Sequence, residues 1–301
     1  MNDIVIAHGG VDVALTDHYR ATVERAALAG ARHLSAGVLD AVEATIVVME
    51  QDPAFNAGIG GVLNRDGTVE LDALIIDGST GRAGAVAAIQ GVANAISVAR
   101  RVAETTPYVL LVGDGAGLFA REQGFPATDC VTAEQFEAWR QMRERGSLAE
   151  IGLNPFTGQP EPPSPSDTVG CVVQAAGRMA AGVSTGGLFF KAPGRVGDSA
   201  IVGAGAYACE FGAVAATGVG EAFHELLLCR CVSEQLERGV HPQEAVEEAI
   251  RHLWRRRQGI GGIIAVDRNG RTGMAYNGKS LAAAVVIDGQ LAPSEPQHVD
   301  T

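Results

Sequence analysis

Apolar and polar positions change their spacing along the chain, and each change marks an element. Ile4-Val5-Ile6-Ala7 is an apolar run that reads as a strand leading into His8-Gly9-Gly10. Apolar residues then recur at helical spacing over residues 17–34 and 39–50. Phe55-Asn56-Ala57-Gly58-Ile59-Gly60-Gly61 is too rich in glycine for either regular element and reads as a loop. Residues 62–69 carry Asp66-Gly67 between apolar flanks, a hairpin signal. Strands follow at 74–76 and 84–89, a helix over 92–102 and a buried strand over 108–112. Thr132, with Gln135 three residues on, opens a helix over 132–145.

The pattern then breaks. Residues 152–166 hold five of the twelve prolines, which excludes helix and central strand and predicts an extended tether. Strands resume at 169–174 and 179–183 around a turn, Ala175-Ala176-Gly177-Arg178, and recur at 200–202 and 213–216. Helices over 221–236 and 242–255 precede a hairpin, 263–267 and 272–276, turned at Arg268-Asn269-Gly270. Short Asp-Gly and Asn-Gly turns imply antiparallel neighbours. The expected class is therefore α+β, with stacked sheets covered by helices rather than a doubly wound parallel sheet.

Composition narrows this. With 47% hydrophobic but only 5% aromatic residues, the core must be packed from small aliphatic side chains. A net charge of −12 disfavours nucleic acid as a partner. No apolar run approaches the ~18 residues of a membrane span, and the N-terminal residues lack a signal-peptide pattern. The expectation is a cytoplasmic protein with no membrane partner. The five cysteines form neither a disulfide framework nor a Cys-x-x-Cys pair, so they are expected as buried thiols. The seven histidines show no metal-ligand spacing, and no catalytic metal is implied.

Three clusters could carry chemistry. Thr168 stands directly after the tether and opens an apolar strand. An N-terminal threonine supplies its own base, because a free α-amine with pKa ~8 is partly neutral near pH 7. A threonine that merely starts a strand is the plainer reading. In Pro193-Gly194-Arg195-Val196-Gly197-Asp198-Ser199, Arg195 suits a carboxylate and Asp198 an ammonium, as at the two ends of an amino acid. A salt bridge within a surface turn is the alternative. Ala216-Thr217-Gly218-Val219-Gly220 passes from strand to helix and could aim donors at an oxyanion, or Thr217 could simply cap the helix.

Taken in order, Thr168-Val169-Gly170, Ser184-Thr185-Gly186-Gly187, Gly194-Arg195-Val196-Gly197-Asp198-Ser199 and Thr217-Gly218 resemble the plant-type L-asparaginase and isoaspartyl peptidase family. So do His8-Gly9-Gly10, Phe55-Asn56-Ala57-Gly58, Glu70-Leu71-Asp72-Ala73 and Arg82-Ala83-Gly84-Ala85-Val86. The resemblance implies one N-terminal-nucleophile hydrolase domain over residues 1–301, folded as a four-layer αββα sandwich. It also implies autocleavage between Asp167 and Thr168 into an α chain (1–167, ending in the 152–167 tether) and a β chain (168–301).

By the same resemblance Thr168 is the nucleophile, Thr185 holds it, and Thr217 with the Gly218 N–H forms the oxyanion hole. Arg195, Asp198, Gly218 and Gly220 bind substrate, and Gly9, Gly10 and Asn56 support the surrounding loops. The implied substrate is asparagine or a β-aspartyl dipeptide, hydrolysed through a Thr168 ester to release aspartate. No organic cofactor is implied, but a structural sodium ion on the backbone of Glu50, Phe55, Ala57 and Ile59 is, as is a homodimer of αβ units. Phe189 and Phe190, where smaller or polar residues are usual, are expected to narrow the pocket or favour an apolar leaving group.

Rival readings stay open at this point. Gly182-Val183-Ser184-Thr185-Gly186 fits a Gly-x-Ser-x-Gly elbow with Ser184 as nucleophile and Asp198 and His224 following. Gly113-Asp114-Gly115-Ala116-Gly117-Leu118 after an apolar run suggests a weak dinucleotide loop. A glycosylasparaginase-like amidase and an uncleaved binding protein of the same fold complete the set.

Overall fold

The computed structural model describes residues 2–144 and 168–301. The tether and Asp167 lie outside the described residues. The first half runs β1 (Ile4–Val11), α1 (Asp17–His33), α2 (Val38–Glu50), β2 (Leu71–Asp77), β3 (Arg82–Ile89) and α3 (Ala95–Thr105). It continues with β4 (Leu110–Val112), α4 (Gly113–Glu122) and α5 (Ala133–Glu144). After the tether come β5 (Val169–Ala175), β6 (Arg178–Thr185), β7 (Ala206–Cys209), β8 (Gly212–Gly218), α6 (Gly220–Leu226), α7 (Leu228–Glu237) and α8 (Pro242–Arg257). The last strands are β9 (Gly261–Asp267), β10 (Thr272–Tyr276), β11 (Leu281–Ile287), β12 (Gln290–Ala292) and β13 (Gln297–His298).

These strands form two sheets. The larger has the order β12-β11-β1-β5-β6-β2-β3-β4, the smaller β13-β10-β9-β8-β7. Pairing is antiparallel except for β3 with β4 and β10 with β13. Strand alternation explains the layers, because neighbouring residues face opposite sides and both sides are covered. On β1, Val5 and Ala7 pack with Val23, Ala26, Val42 and Ile46 of α1 and α2. Ile4 and Ile6 point the other way, into an inter-sheet core with Val172, Val183, Ala213, Ala215 and Ile264. The opposite face of β8, Val214 and Ala216, packs with Phe223, Val232, Val246 and Ile250 of α6 to α8. The order helix, sheet, sheet, helix is the expected αββα sandwich of an α+β protein.

Several expectations need correction. The apolar run at 108–112 is not a buried strand: Tyr108 is 60% and Val112 56% exposed, and β4 is a three-residue edge strand. Residues 200–202 form no strand; a 3₁₀ turn over Asp198–Ala200 precedes a single bridge from Val202 to Ala206. The helix over 221–236 is broken at Leu227, which adopts a left-handed conformation with φ of 48°. The 62–69 hairpin is reduced to one bridge, Leu63 to Val69. Gly113 starts α4, so the glycine run there lies within a helix rather than in a loop. Among the cysteines, Cys231 is exposed and Cys209 half-buried. Among the described residues no helix is long and apolar enough to cross a membrane.

Candidate active site

The site starts from strand register. Val169 of β5 pairs with Ser184 of β6, so one step further Thr168 stands beside Thr185 at the strand ends. Both threonines are buried. On its other edge β6 pairs with β2, where Asp72 lies opposite Thr185. From the second sheet, the end of β8 brings Gly218 to the same place. Thr168, Thr185, Gly187, Leu188, Arg195, Gly197, Asp198, Gly218 and Gly220 line one narrow cleft.

Thr217 is fully buried next to Gly218 but does not line the cleft. It does not cap the helix that follows, whose N-cap is Val219. Gly218 has φ of 143°, and a Cβ there would stand 2.4 Å from Ile260 O, so only glycine fits.

The turn after β6 is held from below by Asn56. Its Nδ2 donates to Gly187 O at 2.7 Å, its Oδ1 accepts from Val62 N at 2.9 Å, and its carbonyl accepts from Gly186 N at 2.8 Å. Thr185 Oγ1 accepts from Gly187 N at 2.9 Å, closing the turn next to the candidate nucleophile. Gly9 and Gly10 do not reach the cleft. Gly9 O accepts from the Tyr19 hydroxyl, and Tyr19 packs against Phe55 with ring centroids 4.1 Å apart and planes tilted by 31°, which ties β1 to the Asn56 loop.

Arg195 and Asp198 share the cleft and do not form the mutual salt bridge of the alternative reading. Arg195 donates Nε and Nη2 to both oxygens of Glu221, at 2.9 and 2.8 Å. Its Nη1 side faces Gly187 and Gly197: a Cβ built on Gly197 would stand 2.9 Å from Nη1. Asp198 is buried, and among the described residues its Oδ2 has no hydrogen-bond partner. Burial pushes its carboxyl up to about 7 against the pull of the Arg195 charge. A half-neutral carboxyl with an idle oxygen at a cleft wall is equipped to receive a cationic donor.

Phe189 and Phe190 do not narrow this cleft. Phe189 belongs to the helix-side core, Phe190 N–H donates to Leu63 O at 2.8 Å, and the cleft side chain of this segment is Leu188. The serine-elbow reading also fails. Ser184 lies within a strand, fully buried, and donates to the Glu50 carboxyl at 2.6 Å, while His224 is exposed on α6. His8 is structural, as expected: it is fully buried against Gly170, and burial pulls it down to about 3.

Sequence reasoning gave no role to Glu221, Asp72 or Lys191. Glu221 fixes the Arg195 guanidinium, and Asp72 and Lys191 are buried beneath the cleft loop. A faint signal existed, since Asp72 is a charge inside an apolar run and Lys191 is one of only two lysines.

The asparaginase family model matches residues 1–293. The chain is 41% identical to a plant-type L-asparaginase of Pyrococcus abyssi, over 96% of this chain and 98% of that protein. It is 42% identical to a plant-type L-asparaginase of Pyrococcus furiosus, with the same coverage. To an isoaspartyl peptidase/L-asparaginase of Xenopus laevis it is 38% identical, over 97% of this chain and 94% of that protein. A match of this extent, on top of a cleft that gathers Thr168, Thr185, Arg195, Asp198 and Gly218, places the chain in the asparaginase family.

Proposed function

We propose that this chain is a self-cleaving amide hydrolase that releases aspartate from asparagine or β-aspartyl dipeptides, with Thr168 as nucleophile. The observation that carries the reading is one cleft uniting a strand-end threonine with Arg195, Asp198 and Gly218. In self-cleavage the Thr168 hydroxyl attacks the Asp167 carbonyl, and the peptide nitrogen leaves as the α-amine of Thr168. Water then hydrolyses the resulting ester and frees the Asp167 carboxylate.

In turnover, that amine accepts the Thr168 hydroxyl proton as the oxygen attacks the substrate β-carbonyl. The Gly218 N–H stabilises the oxyanion, and buried Thr217 behind the cleft wall supports that donor. The C–N bond breaks as the α-amine passes that proton to the leaving amine, a β-aspartyl ester remains on Thr168, and water hydrolyses it to release aspartate and restore the hydroxyl. Thr185, beside Thr168 in register, orients the nucleophile. Because Glu221 occupies the Nε–Nη2 edge of Arg195, the substrate α-carboxylate approaches from the Nη1 side. Asp198 takes the α-ammonium and Gly220 leaves room for it, since a Cβ there would lie 2.9 Å from Asp198 Oδ1. Leu188 adds an apolar wall.

The chemistry needs no organic cofactor. The loop carrying Asn56 fits a structural sodium ion: a Cβ on Gly58 would stand 2.2 Å from Glu50 O, and one on Gly60 2.0 Å from Phe55 O. Clustered carbonyl oxygens suit a hard cation. Carbonyls of Glu50, Phe55, Ala57 and Ile59 would hold it and stiffen the Asn56 loop. We further propose that αβ units pair as homodimers in the cytoplasm.

The test is intact mass of freshly purified protein over days, with Thr168→Ala alongside. Two fragments meeting at Asp167 and Thr168 in the parent, one chain in the variant, and aspartate released only by the cleaved protein support the reading. A parent that stays whole and releases no aspartate overturns it and leaves a binding protein of the same fold.

A further inference from the structure

The loop that carries Arg195 and Asp198 is held to the strands beneath it by two buried carboxylates. Asp72 is fully buried at a bulge, where the pairing of β2 with β3 slips between Leu71 and Ala73. Its Oδ1 accepts from Ala88 N at 2.8 Å, which serves the N–H that the bulge leaves without a ladder partner. Its Oδ2 accepts from Gly197 N at 3.3 Å, between Arg195 and Asp198. The same residue lies opposite Thr185 in the register of β2 with β6. Two residues earlier, buried Glu70 accepts from Gly194 N through both oxygens, at 3.1 and 3.0 Å, and its carbonyl accepts from Lys191 Nζ at 3.0 Å. Lys191 is itself buried and supplies the counter-charge to Asp72. The carboxylates thus hold Gly194 and Gly197, one on each side of Arg195.

We propose that Asp72, seconded by Glu70, is the positioning residue that fixes the Arg195–Asp198 loop relative to the Thr168–Thr185 strand ends. It rests on the function proposed above and deepens it. A substrate held by its α-carboxylate and α-ammonium reaches Thr168 only if that separation is constant, and Asp72 spans it. The role calls for an acceptor-only side chain, because Asp72 serves two N–H donors with two oxygens. An amide at 72 would turn its NH₂ towards one of them and release either the bulge or the loop. Glu70 serves a single donor with both oxygens, so an amide at 70 still leaves it an acceptor.

The experiment compares Asp72→Asn, Glu70→Gln and Glu70→Ala with the parent for asparagine KM, kcat, competitive inhibition by L-aspartate, calorimetric L-aspartate binding and self-cleavage rate. Asp72→Asn should raise KM and weaken L-aspartate about tenfold, the loss of one charge-assisted hydrogen bond, with kcat changed less than threefold. Glu70→Ala should move the same way by several-fold, and Glu70→Gln should stay within about twofold of the parent. A merely structural role would lower kcat, self-cleavage and stability together and would not separate glutamine from alanine at 70. Unchanged L-aspartate affinity in Asp72→Asn and Glu70→Ala overturns the inference. If Asp72→Asn does not fold, the two substitutions at 70 decide. If the parent neither cleaves nor turns over, the proposed function fails, and calorimetric L-aspartate binding still tests the loop anchor.

Discussion

Replacing Asp198 by asparagine should make the protein more stable and a worse enzyme. Burial raises the Asp198 carboxyl from 3.8 to about 7 in the folded chain. That is a shift of roughly three units, at about 1.4 kcal/mol each, so the ionised carboxylate costs on the order of 4 kcal/mol of folding stability. Because the folded value is raised, the stability contribution is complete below about pH 4. It declines as pH climbs and is lost once pH passes about 7. Other buried groups complicate the total profile. Glu50, raised to about 8 by burial, slopes the same way; His8, pulled down from 6.5 to about 3, slopes the opposite way. The difference between the parent and the Asp198→Asn protein cancels both.

Urea unfolding should be measured from pH 5 to 8 in a Thr168→Ala background, where the chain stays covalently whole. The advantage of the Asp198→Asn protein should grow by about 1 kcal/mol per pH unit up to pH 7 and level off above it. In the cleaving protein the same substitution should raise the KM for asparagine tenfold to a hundredfold at pH 8, as the ammonium loses a charged partner. Parallel stability curves for the two proteins across this range would refute the reasoning.

Two further substitutions test neighbouring parts of the argument. In Gly170→Ala the new Cβ would lie 2.2 Å from His8 Nε2 inside a paired sheet, so unfolding free energy should drop by about 1–3 kcal/mol. His8→Ala should recover more than about 1 kcal/mol of that loss in a double-mutant cycle; additive effects would count against the contact. Glu221→Gln should loosen the Arg195 guanidinium and raise KM about fivefold with kcat within twofold, read from steady-state kinetics with asparagine. A KM unchanged by that substitution would show that Arg195 is fixed by something else.

What the sequence makes legible follows the range of the forces involved. Strand alternation and helical spacing are local, so β1, α1, α2, β5, β6 and α8 stand close to where the pattern puts them. Thr132 caps α5 as expected, with Gln135 N 3.2 Å from its Oγ1. Exposure of the 108–112 run escapes the pattern because an apolar run does not say whether its strand has neighbours on both edges. The break at Leu227 carries no glycine or proline to announce it. The order of motifs pointed to Thr168, Thr185, Arg195, Asp198 and Gly218, and all five line one cleft. Of their supports, Asn56 was reached only through the family resemblance, and Asp72 and Glu221 received no role, because such contacts act across the chain. Asn56 meets Gly187 131 positions away, and Asp72 meets Gly197 125 positions away. No periodicity records such pairs.

The larger sheet also explains how a protein of this kind could cut its own chain without falling apart. Strands β1 to β4 precede the Asp167–Thr168 bond and β5, β6, β11 and β12 follow it, yet their order in the sheet interleaves. β1 lies between β11 and β5, with pairings from Ile4 to Val11 on one edge and from Ile4 to His8 on the other. β6 lies between β5 and β2, so the strand behind Thr168 joins the first half through β1 and again through its hairpin partner. Separating the halves would strip three ladders, β11 with β1, β1 with β5 and β6 with β2, and the inter-sheet core packed on them, a loss far beyond the gain in freedom of two new chain ends. On the proposed function, cleavage would create an amine at Thr168 while the strand carrying it stays in register beside Thr185. The proposed base would then appear where the proposed nucleophile is already held, and the fold rather than the peptide bond would keep it there.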